Sequence, residues 1–194
     1  MIPFPDKKYN VIYVDPPWGY QNKATRAAAD KHYDTMTIEE LKQMPITRGG
    51  GCLAADDCAL FMWATFPMLR EALDLIEAWG FKYKTIAFNW IKQNKSGAGL
   101  FWGLGNWTRS NSEICLLAIR GKPKRISAAV HSVVMAPVQK HSQKPDEVRE
   151  RIVKLVGDVP RIELFARAAA PGWDCWGNEA PQNNTEIIKQ EELP

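Results

Sequence analysis

The chain has 194 residues, of which 45% are hydrophobic and 24% charged, and its net charge is +3. This composition is typical of one globular domain, and it excludes a collagen-like chain, a wholly disordered chain and a disulfide-scaffold mini-protein. The small net charge excludes a strongly basic coat protein. Eight tryptophans are many for this length, and their flat faces can fill a core, line an interface or stack on planar groups.

The sequence carries no targeting or metal-binding pattern. The segment from Met1 to Lys8 has no apolar core after a basic start, which argues against secretion. No run of about 18 apolar residues occurs, so we expect no membrane-spanning helix. The four cysteines form no C-x-x-C pair, so we predict reduced thiols, no metal site and a cytoplasmic protein.

The first predicted elements are a strand and a helix. The β-branched run Tyr9–Val14 indicates a buried strand. Residues 19–35 lack clear periodicity and are predicted to form a mobile loop. Thr37 and Glu40 are spaced as a capping box, which opens a helix that Pro45 ends.

The rest of the chain continues to alternate strands with helices. We predict a strand at 58–64, a helix between Pro67 and Gly80, strands at 83–91 and 113–119, strand character around Val133, a helix at 145–156 and a last short strand at 162–165. This alternation predicts a single α/β domain over residues 1–180, with helices on both faces of the sheet. The tail at 181–194 is rich in Asn, Gln and Glu and is predicted to be disordered.

Positive charge is concentrated in one stretch of the sequence. Residues 92–125 contain seven basic side chains and one acid, a balance of +6, so the remainder of the chain sums to −3. Aromatic residues are interleaved with these charges, as Phe101, Trp102 and Trp107. Such a belt is typical of backbone contact combined with base stacking in nucleic-acid binding, and a solvated loop is the alternative interpretation.

The motif Asp15-Pro16-Pro17-Trp18 follows the first strand, where open α/β sheets form their sites. Asp15 supplies a carboxylate, Pro16 supplies a carbonyl, and Trp18 supplies a planar face, while the prolines hold the turn rigid. Two acceptors beside a stacking surface fit a planar base whose exocyclic amino group attacks a methyl group. Taken alone, the motif is equally compatible with a Pro-Pro turn that ends a strand.

Further stretches of the chain extend this pattern, at residues 33–37, 60–63, 89–92, 113–117, 141–147, 163–167 and 172–179. Together with Asp15-Pro16-Pro17-Trp18, and in this order, they resemble the MT-A family of adenine-N6 methyltransferases. That family includes the catalytic subunit of the mRNA adenosine methylase, and the bacterial and phage branch resembles this chain most. The resemblance covers residues 9–179.

This resemblance implies a Rossmann-like methyltransferase sheet that is circularly permuted, with the catalytic motif N-terminal and the strand that binds S-adenosylmethionine C-terminal. It implies that DNA, rather than RNA, is the substrate, in a bacterial or phage-infected cell. The implied catalytic residues are Asp15, Pro16, Pro17 and Trp18. The implied cofactor-binding residues are Asp15, Lys144, Glu163, Phe165, Arg167, Asn178 and Glu179. The implied substrate-binding residues are Tyr33, Trp63, Lys92, Trp107, Arg109 and Glu113.

Two alternatives stay open beside this reading. One is the same chemistry on RNA adenosine, because the acceptor group is the same adenine. The other is an inactive subunit that presents nucleic acid to an active partner, which the intact Asp15 and Trp18 disfavour. The resemblance also leaves open a homodimer or a separate partner subunit, and it implies no membrane partner.

Overall fold

The protein is represented by a computed structural model, which describes residues 3–19, 35–47, 52–105, 107–139 and 143–180. The predictions for residues 20–34, for the tail at 181–194 and for Tyr33 lie outside these ranges. The strands are β1 (Tyr9–Val14), β2 (Ala54–Ala64), β3 (Lys82–Gln93), β4 (Ser112–Arg120), β5 (Val133–Pro137), β6 (Arg161–Leu164) and β7 (Asp174–Trp176). The helices are α1 (Ile38–Lys42), α2 (Leu69–Ala78) and α3 (Glu147–Val156), and a 3₁₀ turn, Phe66–Met68, precedes α2.

The seven strands form one mixed sheet in the order β5-β3-β4-β2-β1-β6-β7. Every neighbouring pair is parallel except the two pairs that contain β4, so β4 alone runs in the reverse direction. The first strand, β1, lies near the centre and pairs with β6 from the C-terminal part of the chain. This arrangement confirms the predicted Rossmann-like, circularly permuted α/β fold.

Helices cover both faces of the sheet, as predicted. Along β1, Ile12 and Val14 belong to one core layer and Val11 and Tyr13 to the other, because successive side chains of a strand point to opposite faces. Helices α1 and α2 pack on the first layer and α3 packs on the second. Their buried contacts are Leu41, Ala72, Leu75, Ile76, Val148 and Ile152.

Local sequence signals account for the ends of α1 and α2. The Thr37 N–H donates to Glu40 Oε2 (2.8 Å), and the Glu40 N–H donates to Thr37 Oγ1 (3.2 Å), so the predicted capping box is confirmed. Gly80 follows α2 with a φ of 77°, which favours glycine. A Cβ at this position would also lie 2.9 Å from Thr47 Oγ1.

The structure differs from the sequence prediction mainly near the C-terminus. The strand at 162–165 was predicted to be the last, and this was wrong, because Asp174–Trp176 forms β7 alongside β6. Three residues are too few to show an alternating pattern. The strand character predicted around Val133 is confirmed as β5. Within the ranges described, the helices are all too short or too polar to cross a membrane.

Candidate active site

The Asp15-Pro16-Pro17-Trp18 turn is fixed by main-chain hydrogen bonds at the carboxyl end of β1. The Trp18 N–H donates to the Pro16 carbonyl (2.8 Å), and the Met36 N–H donates to the Pro17 carbonyl (2.9 Å). Trp18 and Met36 form a short parallel bridge, which joins the turn to the segment before α1. A carbonyl oxygen has two lone pairs, so Pro16 keeps one for a further donor.

Four charged side chains of alternating sign lie beside this turn, and we call them the four-charge cluster. The Lys144 ammonium lies 2.7 Å from Asp15 Oδ2 and 3.3 Å from Glu113 Oε2. The Lys92 ammonium lies 2.6 Å from Glu113 Oε1. The cluster forms because β4 is reversed, which brings Glu113, near its start, to the edge where β1, β2 and β3 end.

Burial and charge move the two carboxylates of the four-charge cluster in opposite directions. Burial raises the pKa of Asp15 above its ordinary value, and the Lys144 ammonium opposes this rise. Burial acts on Glu113 in the same sense, but Lys144 and Lys92 together outweigh it and hold the Glu113 pKa below its ordinary value. Burial alone would lower the pKa of Lys144, yet Asp15 and Glu113 raise it, so Lys144 stays protonated.

Aromatic rings lie beneath the two lysines. Lys144 sits 5.6 Å from the centre of the Trp63 ring, and Lys92 sits 5.1 Å from the Trp90 ring, within the range of cation–π attraction. The Trp63 indole N–H donates to the Tyr13 hydroxyl (2.6 Å). Trp63 was predicted to bind substrate, and the structure places it 1% exposed, as a support under the cluster.

A second, partly buried ion pair lies further along the same sheet edge, between β6 and α3. The Arg149 guanidinium donates to both oxygens of Glu163, at 2.6 and 3.0 Å, and also contacts Asp146. Burial raises the pKa of Glu163 even though Arg149 opposes the rise. Sequence reasoning missed Arg149. The sequence feature that could have indicated it is an arginine in the helix that directly precedes the strand carrying Glu163.

The turn after β6 has an unusual backbone. Phe165 adopts a φ of 57°, a left-handed conformation that is rare for residues other than glycine and is concentrated at functional sites. Gly177 approaches this turn so closely that a Cβ on it would lie 2.9 Å from Phe165 Cα. Gly177 is therefore required for the close packing of the segment after β7 on the turn after β6.

The other predicted cofactor residues follow this turn at the surface. Arg167 Nε lies 3.8 Å from Glu179 Oε2, and both side chains are exposed. Asn178 is exposed next to Glu179. The structure thus places them on the segments that follow β6 and β7.

Trp18 does not share the surroundings of Asp15. Its side chain is 5% exposed and packs in the core layer under α1 and α2, with Met36 and Ile38 against that layer. Its indole nitrogen is buried and has no hydrogen-bond acceptor among the described residues. The predicted stacking of Trp18 on a substrate base stays a prediction.

The basic belt predicted over residues 92–125 is divided between two edges of the sheet. Strand β4 runs across the sheet from Ser112 to Arg120, a span of roughly 26 Å. Lys92, Lys95 and Arg109 therefore lie near the four-charge cluster, whereas Arg120 and the basic residues after it lie at the opposite edge. The seven basic residues of the predicted belt therefore do not form one surface, because β4 carries the chain from one edge of the sheet to the other.

Two predicted substrate residues, Trp107 and Arg109, lie on the loop between β3 and β4. Both are exposed and line a groove of about 490 Å³ that reaches Glu113. Thus the structure brings Asp15, Lys144, Glu113 and Lys92 into direct contact and places Trp107 and Arg109 along the adjoining groove.

Comparison with known proteins identifies relatives over almost all of the chain. The family model described as MT-A70 matches residues 9–179. The Type II methyltransferase M.MunI from Mycoplasma sp is 36% identical over 209 aligned residues, which cover 97% of this chain and 85% of that protein.

More distant relatives are much longer proteins. The human N(6)-adenosine-methyltransferase catalytic subunit METTL3 is 28% identical, over 89% of this chain and 28% of its own length. The Arabidopsis thaliana N(6)-adenosine-methyltransferase MT-A70-like protein is 27% identical, over 94% of this chain and 25% of its own length.

Proposed function

Because the chain belongs to the MT-A70 family, we propose that it transfers a methyl group from S-adenosylmethionine to the exocyclic N6 of adenine in nucleic acid, with DNA as the substrate. The observation that carries this proposal is the partly buried Asp15 carboxylate, which Lys144 holds beside the rigid Pro16 carbonyl at the carboxyl end of β1. Open α/β sheets bind their ligands at this edge.

The acceptor amine fits between Asp15 and Pro16. One amino hydrogen can donate to the Asp15 carboxylate and the other to the Pro16 carbonyl, since both oxygens keep acceptor capacity. These two bonds draw the nitrogen lone pair out of conjugation with the ring and orient it for attack. Asp15 is also placed to receive the proton that the nitrogen releases after methylation. Positioning and preorganised charge, without a covalent intermediate, account for this catalysis.

The edge formed by β6 and β7 fits the cofactor. Glu163 uses two acceptor positions for Arg149, and a carboxylate has about four, so it can accept both hydroxyls of a ribose. The left-handed turn at Phe165 comes two residues after Glu163, and such backbone conformations are concentrated at functional sites. Arg167, Asn178 and Glu179 would complete this site. S-adenosylmethionine, when bound, supplies the electrophilic methyl group.

We propose DNA over RNA because this chain is more similar to the relative named as a Type II methyltransferase than to the relatives named for adenosine. The relative named as a Type II methyltransferase shares more identity and is covered over 85% of its length. The relatives named for adenosine share less identity, and this chain spans about a quarter of their length.

The test is a methylation assay with isotopically labelled S-adenosylmethionine and matched DNA and RNA oligonucleotides, followed by mass spectrometry of the nucleosides. We expect labelled N6-methyladenine, formed faster in DNA. Faster methylation of the RNA oligonucleotide would reassign the substrate. Label on another base or another atom would overturn the proposal.

A further inference from the structure

The loop between β3 and β4 is a hydrogen-bonded ribbon. The Phe101 N–H donates to the Lys92 carbonyl (2.9 Å), and the Gly103 N–H donates to the Ser110 carbonyl (2.7 Å). The Asn111 side-chain amide donates to the Phe101 carbonyl (2.6 Å) and closes the base of the ribbon. These bonds join the segment 101–103 to Lys92 on one side and to residues 110–111 on the other.

This ribbon holds a tryptophan in solvent. Trp107 is 100% exposed, although tryptophan is usually well buried. At Gly105 a Cβ would lie 1.7 Å from the Thr108 carbonyl oxygen, so this close approach of Gly105 to Thr108 requires glycine. A large apolar side chain exposed on a hydrogen-bonded loop is typical of a binding surface.

The groove beside Trp107 joins this surface to the four-charge cluster. It has a volume of about 490 Å³, which suits a ligand the size of a nucleotide. Trp107 and Arg109 line it from the ribbon, and Glu113 lines it from the start of β4. The turn after β2 contributes Phe66, which is 52% exposed. Glu113 is common to the groove and the cluster, so a ligand in the groove lies next to Asp15 and Lys144.

The charge of the groove favours a phosphate-bearing ligand. Glu113 is neutralised by Lys92 and Lys144. Arg109 has no ion pair among the residues described, and its guanidinium therefore remains available. A cation beside aromatic faces is the combination that single-stranded nucleic acid uses, because its phosphates need charge and its bases need a stacking surface.

We propose that this groove binds the nucleotide adjacent to the target adenine in an unpaired or flipped-out strand. Its base stacks on Trp107, with Phe66 contributing a second apolar wall, and its phosphate contacts Arg109. The proposal rests on the proposed function, since it takes the four-charge cluster as the place of the target adenine. It makes Trp107 a determinant of which neighbouring bases are accepted.

Binding of labelled single-stranded oligonucleotides, measured by fluorescence anisotropy, tests the stacking contact. One oligonucleotide is intact, and the others each lack the base at one position beside the adenine. The wild-type protein should bind one of the abasic oligonucleotides about five-fold or more weakly than the intact one. Trp107→Ala should weaken binding of the intact oligonucleotide by a similar factor and remove the penalty of that abasic position.

Trp102→Ala is the matched control, because Trp102 is 60% exposed on the same ribbon but is not part of the groove lining. It should bind like the wild type. The proposal is overturned if Trp107→Ala binds the intact oligonucleotide as tightly as the wild type, as it would if Trp107 contacts a protein partner. It is also overturned if the abasic penalty persists in Trp107→Ala, or if Trp102→Ala loses as much affinity.

The salt dependence of binding tests the phosphate contact. Arg109→Gln should reduce the slope of log affinity against log salt by about one, and an unchanged slope would remove Arg109 from the proposal. These measurements need no methyl transfer. If the oligonucleotides bind as expected but no N6-methyladenine forms, only the proposed function is rejected. If methylation is normal but Trp107→Ala does not change binding, only the proposed role of the groove is rejected.

Discussion

The two ion-pair sites on the same sheet edge are built differently. The four-charge cluster joins the end of β1, strands β3 and β4, and Lys144 before α3, and it links Lys144 to Asp15 across 129 positions of sequence. The Arg149–Glu163 pair joins only α3 and β6, which are 14 positions apart. In the cluster one lysine is shared by two carboxylates, whereas Glu163 takes both of its bonds from one guanidinium.

The two carboxylates are therefore suited to different functions. Arg149 holds Glu163 through a bidentate pair, which fixes the carboxylate plane as a rigid acceptor for a ligand. Asp15 is held by Lys144 through one oxygen, which leaves its other oxygen open to a donor such as an amino group. Burial raises the pKa of both carboxylates, so the geometry of the ion pair distinguishes Asp15 from Glu163.

The largest expected effect comes from Asp15→Ala. This change removes one of two acceptors for the amino group and leaves Lys144 paired with Glu113 alone. We expect kcat to fall about a thousand-fold, because preorganised charge at the reacting atom is lost. Binding of S-adenosylmethionine should stay largely intact, because its other predicted contacts remain. Single-turnover kinetics and calorimetry would measure the two quantities. Asp74→Ala, at an exposed position of α2, is the control, and retained turnover in Asp15→Ala would contradict the mechanism.

Glu163→Gln should have the next largest effect, and this effect should be on the binding of S-adenosylmethionine. The change removes a charged acceptor and leaves Arg149 paired with Asp146 alone. We expect the Kd for S-adenosylmethionine to rise about 10- to 100-fold, as for loss of hydrogen bonds to a charged group, in isothermal titration calorimetry. Glu150→Gln, on the exposed side of α3, should bind normally. Equal cofactor affinity in Glu163→Gln and wild type would show that Glu163 has another role.

Lys144→Gln should change the pH dependence of the reaction. Lys144 lowers the pKa of Asp15 against the rise caused by burial, so its removal raises that pKa further. Less Asp15 is then ionised at a given pH, and the acid limb of kcat/KM moves to higher pH. Lys144→Arg keeps the charge and should leave the limb near its original position. A limb that stays in place or moves to lower pH in Lys144→Gln would contradict the coupling.

Thr37→Ala should have the smallest effect, because Thr37 belongs to neither charged site. It removes the side-chain cap of α1 and should lower the free energy of unfolding by about 1 kcal/mol, measured by urea denaturation. Turnover should remain close to that of the wild type. A loss of turnover comparable to that of Asp15→Ala would show that the two charged sites do not account for the activity.

Local sequence signals were sufficient to predict most of the fold. The strand at Tyr9–Val14 and the capping box at Thr37 each depend on a few adjacent residues. Both predictions are confirmed. Strand β7 escaped prediction because its three residues, Asp174–Trp176, form a strand only by pairing with β6. Pairing of that kind is a tertiary effect that no local pattern records.

The candidate site was predictable in its residue types but not in its contacts. Glu113 was singled out by resemblance, yet its partners follow from the reversal of β4, which sequence reasoning had not included. The same reversal divided the basic belt. Arg149 was missed because a helical arginine near acids is usually a surface ion pair, and only the packing of α3 against β6 turns it toward Glu163.

The most direct test of the central claim is a crystal structure of the protein with a non-reactive analogue of S-adenosylmethionine and an adenine-containing oligonucleotide. The account predicts that the adenine N6 lies within hydrogen-bond distance of both the Asp15 carboxylate and the Pro16 carbonyl, with the analogue's ribose on Glu163. An adenine bound with its amino group away from Asp15 and Pro16 would contradict it.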